Sequence, residues 1–166
     1  GNAWGVVSDT GAHVTVEDSA IVSNWRTGMM VDDATLAANR NLVRDTRDGG
    51  GAETAANAGV VLQRRASCQL AGNAIVANRN AGIVAMNAGT VLQMSGNLVE
   101  GTLPRTTTGA NGAGLAVQTG AQGTLEHDAF VANRLAAFYV FDSALTGASV
   151  RASGCLLYGT VPQDRD

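Results

Sequence analysis

Apolar residues along this chain fall in short runs of period two, and the runs recur. Glycine followed by two apolar residues appears at Gly5-Val6-Val7, Gly28-Met29-Met30, Gly59-Val60-Val61, Gly82-Ile83-Val84 and Gly114-Leu115-Ala116, with Ala137-Phe138-Tyr139 as a sixth copy. The anchors are spaced by 23, 31, 23, 32 and 23 residues. Each copy closes on a second apolar run before a polar corner: Ala20-Ile21-Val22, Leu42-Val43, Ala74-Ile75-Val76, Leu98-Val99, Ala129-Phe130-Val131 and Leu156-Leu157. A third patch lies between them, at Val14/Val16, Leu36/Ala38, Cys68/Leu70, Leu92/Met94, Leu125 and Val150/Ala152. Alternation of this kind, bounded by Gly, Asn or Asp, predicts three short strands per copy joined by corners. No segment keeps a 3.6-residue apolar period, so no helix is expected. A fixed period of this size predicts one unit stacked on itself.

Stacking assigns residues to columns. Val6, Met29, Val60, Ile83, Leu115 and Phe138 should point inward, as should Ser8, Val31, Leu62, Ala85, Val117 and Val140. The alternate column is Val7, Met30, Val61, Val84, Ala116 and Tyr139, an outward apolar stripe that should not face water. It is covered either by the chain's own loops or by another chain docking on Val7, Met30, Val61, Val84 and Tyr139. At the end of each unit, Asn24, Asp45, Asn78, Gly101, Asn133 and Gly159 align at one corner, and Ala20, Asn41, Ala74, Asn97, Ala129 and Cys155 align four residues earlier. Asparagine tolerates left-handed backbone and bonds backbone groups locally. Asn24, Asp45, Asn78 and Asn133 are therefore expected to form a structural ladder. Units two and four carry extensions, residues 46–58 and 102–113, which leave from the same corner. Insertions on one edge of a solenoid often form its binding face. Asp48, Glu53, Arg105 and Thr107 are offered there to a ligand that the sequence does not name.

These columns resemble the right-handed parallel β-helix, the pectin-lyase-like solenoid family, over residues 4–161. The resemblance implies an all-β right-handed parallel β-helix solenoid of about six to seven coils of three short strands, with two loop extensions on one edge. The domain runs over residues 1–161, followed by a polar tail at 162–166. In that family asparagine ladders are structural. The catalytic site lies on the outer face of the first sheet and uses several Asp residues and an Arg. The matching outward column here reads Asp9, Asp32, Gln63, Met86, Gln118, Phe141, with Asp33 beside Asp32. Asp9, Asp32 and Asp33 are the candidate catalytic acids. No Arg shares their column in an adjacent coil on this reading, with Arg64 one coil further and one residue off, so the family's lyase or hydrolase motif cannot be placed. Grouped carboxylates could also hold Ca²⁺; otherwise no cofactor or metal is expected.

Composition narrows the function classes. The chain is 45% apolar but only 4% aromatic, so Val, Leu, Ile, Ala and Met must build the core. A formal net charge of −3 offers nothing to nucleic acid or an anionic membrane. No apolar run is long enough for a membrane span. The aromatics are scattered and define no sugar platform. His13 and His127 fall four coils apart in different columns. Cys68 and Cys155 fall in the third and sixth coils, too far apart for a disulfide, and are expected to be buried free thiols. No signal peptide is seen and the ends lack caps, which points to a fragment of something longer or to end-to-end association. The resulting expectation is a non-catalytic bacterial scaffold, extracellular or on the cell surface, that binds a glycan or a protein through its loop-bearing edge. The alternatives are a polysaccharide lyase or glycoside hydrolase and a self-associating structural element.

Overall fold

The computed structural model describes residues 4–47, 57–106, 108–109, 111–142 and 146–160. The polar tail at 162–166 lies outside them. Among the described residues there is no helix. Three six-stranded sheets run along the stack, and all pairing is parallel. The first contains Trp4–Asp9, Thr27–Asp32, Ala58–Gln63, Ala81–Met86, Ala113–Gln118 and Phe138–Phe141; the second runs from His13–Glu17 to Ser149–Ser153, and the third from Ala20–Val22 to Leu156–Tyr158. Each coil thus gives one strand to every sheet, and there are six coils. The fold is the parallel β-helix that the period-two runs and their spacing predict.

The expected inward columns form the core in the inner coils; at the ends Val6 and Phe138 are only partly buried and Val140, expected inward, is exposed. Met29, Val60, Ile83 and Leu115 stack in register, as do Val31, Leu62, Ala85 and Val117. They meet Leu36, Cys68 and Leu92 from the second sheet and Val43, Ile75, Val99 and Phe130 from the third in one buried cluster. Small and β-branched side chains suit this because each must fit between copies of itself about 4.8 Å above and below. The repeated glycine has a steric cause. A Cβ at Gly28 would lie 2.6 Å from the Gly59 carbonyl oxygen and 2.5 Å from Val43, and one at Gly59 would lie 2.7 Å from the Gly82 oxygen. At Gly28 the next coil's carbonyl and the third-sheet Val43 approach too closely for any side chain.

The register of the third sheet differs from the expected one by a residue, and a ladder stands at the corner before that sheet, where none was expected. Ala20 pairs with Leu42 rather than Asn41. The column at that corner is consequently Ser19, Asn41, Asn73, Asn97, Asp128 and Cys155. It carries a continuous chain of side-chain bonds. The Asn73 Oδ1 accepts the Asn41 backbone N–H at 2.9 Å and the Asn41 amide at 3.0 Å. The Asn97 Oδ1 accepts the same pair from Asn73, and the Asp128 Oδ1 accepts it from Asn97. Each asparagine amide also donates to a carbonyl one coil back: Asn41 to Val16, Asn73 to Ala38, Asn97 to Leu70.

Asp45 stands in another column, with Ser23, Ala77, Gly101, Ala132 and Gly159, all of them left-handed with φ between 51° and 64°. Asn24, Asn78 and Asn133 lie one residue further on, in a column that alternates with Thr46, Thr102 and Thr160. Here the Thr46 and Thr102 backbone N–H groups donate to the Asn78 and Asn133 oxygens at 3.2 and 3.1 Å. Of the four expected rungs, Asn78 and Asn133 bond in this second ladder, Asn24 shares the column but its buried amide nitrogen has no partner, and Asp45 lies outside it.

The outward stripe is largely covered by the chain itself. Met30, Val61, Val84 and Ala116 form a second buried cluster with Ala58 and Ala81. At the corner leading into this sheet Leu103 stacks on Arg79, and the Asn80 N–H donates to the Leu103 carbonyl. The expected docking surface is corrected accordingly. Met30, Val61 and Val84 are unavailable to a partner, and only Val7, 45% exposed, and Tyr139, 41% exposed, remain open. Cys68 is buried and Cys155 only partly so, both free; burial raises the Cys68 thiol pKa far above its ordinary value.

Removing one rung strands the groups that bond to it. Asn73→Ala should lower the unfolding free energy by about 3 kcal/mol, since it leaves several buried polar groups unpaired. Asp45→Gly should stay within about 0.5 kcal/mol, because glycine adopts the left-handed geometry without strain. Urea denaturation of the two variants checks this, and equal losses would remove the ladder from the account.

Candidate functional site

The first candidate region is the corner between the first and second sheets. Asp9 and Asp32 are register neighbours, followed by Gln63. Arg64 lies one coil on from Asp32 and one residue off its column, as expected, yet its side chain reaches back across the corner. Its guanidinium grips both oxygens of Asp32 through Nε and a terminal nitrogen. The Gln63 amide adds a bond to Asp32 Oδ2 at 2.9 Å. Arg65 holds Asp33 the same way, at 3.2 and 3.0 Å. Asp9 Oδ1 accepts the Thr10 backbone N–H at 2.8 Å and its hydroxyl at 3.2 Å. The bond to Asp32, with the nearby charges of Asp32, Asp9 and Asp33, raises the Arg64 pKa further above its ordinary value.

This arrangement has chemical consequences. A general acid or base needs a carboxyl oxygen free to face the reacting atom, and a calcium ligand needs one free to face the ion. The oxygens of Asp32 and Asp33 face guanidinium groups instead. Forked Arg–carboxylate pairs are geometrically specific and tie adjacent coils together. The sequence does contain the signal: Asp32-Asp33 is followed one coil later by Arg64-Arg65. It is obscured by the additional residue at that corner.

The second region is the loop-bearing edge. Asp48, Glu53 and Thr107 lie outside the described residues. Arg105 is described, and it turns back onto the stack: its Nε donates to Asn80 Oδ1 at 2.9 Å. Asn80 is the hub of this edge. It is buried, its backbone is left-handed at φ 71°, and its amide donates to the Asn57 carbonyl at 2.7 Å. Its oxygen also accepts the Asn111 amide at 2.6 Å, and its carbonyl accepts the Gly112 N–H at 2.8 Å. One residue thereby ties the end of the first extension to both ends of the second. Asn57-Ala58-Gly59 and Asn80-Ala81-Gly82 repeat the tripeptide that places it, a signal the reading of glycine anchors passed over.

Beside this hub a cavity of about 40 Å³ lies between Asn80, Asn111, Ala116, Gln118, Leu135 and Tyr139. Next to it the outer face of the last coil presents Tyr139 and Phe141, both exposed, with ring centroids 6.3 Å apart and planes within 8° of parallel. Gln118 sits in the same outward column as Phe141. The scattered aromatics therefore include one local pair. A roomier trough, about 370 Å³, lies on the outer face of the second sheet and is lined by Gln69, Gln93, Ser95, Thr124 and Glu126. The Gln69 amide donates to Gln93 there at 3.2 Å. No aromatic ring lines that trough, and it is remote from the extensions.

A family model described as a right-handed β-helix region matches residues 1–102. The chain belongs to the right-handed β-helix family, and the same three columns continue through Tyr158. No curated protein and no solved structure matches the chain. Among the described residues, no helix is long and apolar enough to cross a membrane.

The Asp32–Arg64 pair should behave as a structural joint. A double-mutant cycle of Asp32→Asn and Arg64→Ala, read by chemical denaturation, should give a favourable coupling, limited by the exposure of the arginine. Additive losses would show that the pair does not join the coils.

Proposed function

We propose that the chain is a non-catalytic scaffold, extracellular or on the cell surface, that binds a glycan at its loop-bearing edge. The observation that carries this reading is the Tyr139–Phe141 pair, two open, parallel rings on a rigid sheet face beside Gln118 and the Asn80–Asn111 hub. Aromatic faces stack on the apolar C–H face of a sugar ring, and amide side chains serve its hydroxyls with both donors and acceptors. A parallel β-stack holds such groups in fixed positions, which lowers the ordering cost of binding.

A lyase or hydrolase acting through Asp9, Asp32 and Asp33 is the rival reading. The engagement of Asp32 and Asp33 by arginine favours the scaffold over it. A glycan panel followed by calorimetry separates the two. The scaffold reading expects binding without turnover, and a loss of at least about tenfold in affinity for Tyr139→Ala or Phe141→Ala, the effect of about 1.4 kcal/mol of lost stacking. Release of unsaturated or shortened sugar that disappears in Asp32→Ala would replace it with the enzyme.

A further inference from the structure

The asparagine ladder carries one acid. Asn41, Asn73 and Asn97 occupy three successive rungs, and the next is Asp128, 1% exposed. The Asp128 Oδ1 does what each asparagine oxygen does: it accepts the Asn97 N–H at 2.7 Å and the Asn97 amide at 2.8 Å. Oδ2 takes the place of the amide nitrogen. In the three rungs before, that nitrogen donates to the carbonyls of Val16, Ala38 and Leu70. The next residue in that column is Met94, so the register sets the Asp128 Oδ2 opposite the Met94 carbonyl. Oδ2 is buried and has no hydrogen-bond partner. A carboxylate there sets a negative oxygen against a carbonyl oxygen away from water. A neutral carboxyl sets an O–H donor against the same acceptor.

We infer that Asp128 is a proton-binding rung: its carboxyl holds a proton on Oδ2 and donates it to the Met94 carbonyl, in place of the asparagine amide used one, two and three coils earlier. The groups facing it are few. Its own turn brings Glu126 and His127. The coil beneath brings Ser95, Gly96 and Asn97, none of which titrates. From the coil above come Ser153, Gly154 and Cys155; Leu156 is bonded to the Asp128 carbonyl at 2.9 Å, and the Cys155 thiol is turned toward the Ser153 carbonyl. Burial raises the Asp128 pKa from 3.8, outweighing the Asn97 bonds, the Glu126 backbone and the His127 charge, which pull the other way.

The sign of the pH effect follows. A folded state that holds a proton more tightly than the unfolded chain is favoured at low pH. Its full contribution is present below the ordinary carboxyl pKa of 3.8 and is lost as pH rises through the raised folded value. Asp142 acts with the opposite sign. The N–H groups of Thr146, Ala148 and Gly147 hold its carboxyl down to about 2, so its contribution is present above 3.8 and is lost only in strong acid.

The test is a carbon-detected NMR titration of the aspartate carboxyls in the intact chain, with Asp128 assigned through its backbone. It is paired with urea denaturation of wild type and Asp128→Asn from pH 4 to pH 8. The proposal expects the Asp128 carboxyl to titrate above 3.8. It also expects wild type to lose stability toward neutral pH, and Asp128→Asn to be more stable than wild type at pH 7 with that loss removed. Asp142→Asn, as control, should leave the neutral-pH decline in place. A carboxyl midpoint at or below 3.8 overturns the proposal. So does an Asp128→Asn variant that keeps the wild-type pH slope.

Discussion

Axial stacking in register is the constraint on which the other features depend. Each coil lies about 4.8 Å from the next and bonds to it through parallel backbone ladders, so equivalent residues must share one column. A side chain that fails to fit above its counterpart disturbs two interfaces at once. The glycine column exists because a Cβ at Gly28 or Gly59 would collide with the next coil's carbonyl. The left-handed column from Ser23 to Gly159 exists because each coil turns at the same place. Asparagine rungs at the corner before the third sheet carry the same logic into side chains, and satisfy buried backbone groups where the chain leaves the sheet.

The stack also divides committed from open positions. Inward columns are committed to the core, and the acids at the first corner are committed to arginines on the next coil. What varies from coil to coil is the outward face. It is apolar and buried at Met30, Val61 and Val84, and aromatic and open at Tyr139 and Phe141. Asn80 connects the two zones, since it fastens the extensions whose far edge borders the open rings. Among the described residues, Tyr139 and Phe141 are the exposed rings that stack on each other.

The inward columns were legible because glycine anchors mark the first strand of nearly every coil and six-residue strands leave little freedom in register. The third sheet was harder to read. Its strands are three residues long, and both Ala20 and Asn41 precede an apolar pair, so a one-residue slip costs the pattern nothing. That slip placed Asp45 among the rungs and hid Asn73. The Asp32–Arg64 pair was missed for a related reason: counting columns ignores the reach of an arginine across a corner with an additional residue. The outward stripe was legible as a problem, but the convergence of both extensions on Asn80 was not, because the Asn-Ala-Gly tripeptide that places it was read only for its glycine.

The most direct measurement of the central claim is a methyl- and side-chain-amide-resolved NOESY spectrum of the chain in solution. In-register stacking predicts cross-peaks linking Met29 to Val60, Val60 to Ile83 and Ile83 to Leu115, and linking the Asn41 side-chain amide to Asn73 and that of Asn73 to Asn97. Contacts that pair Asn41 with Ala74, or an absence of contacts between Val60 and Ile83, would contradict it.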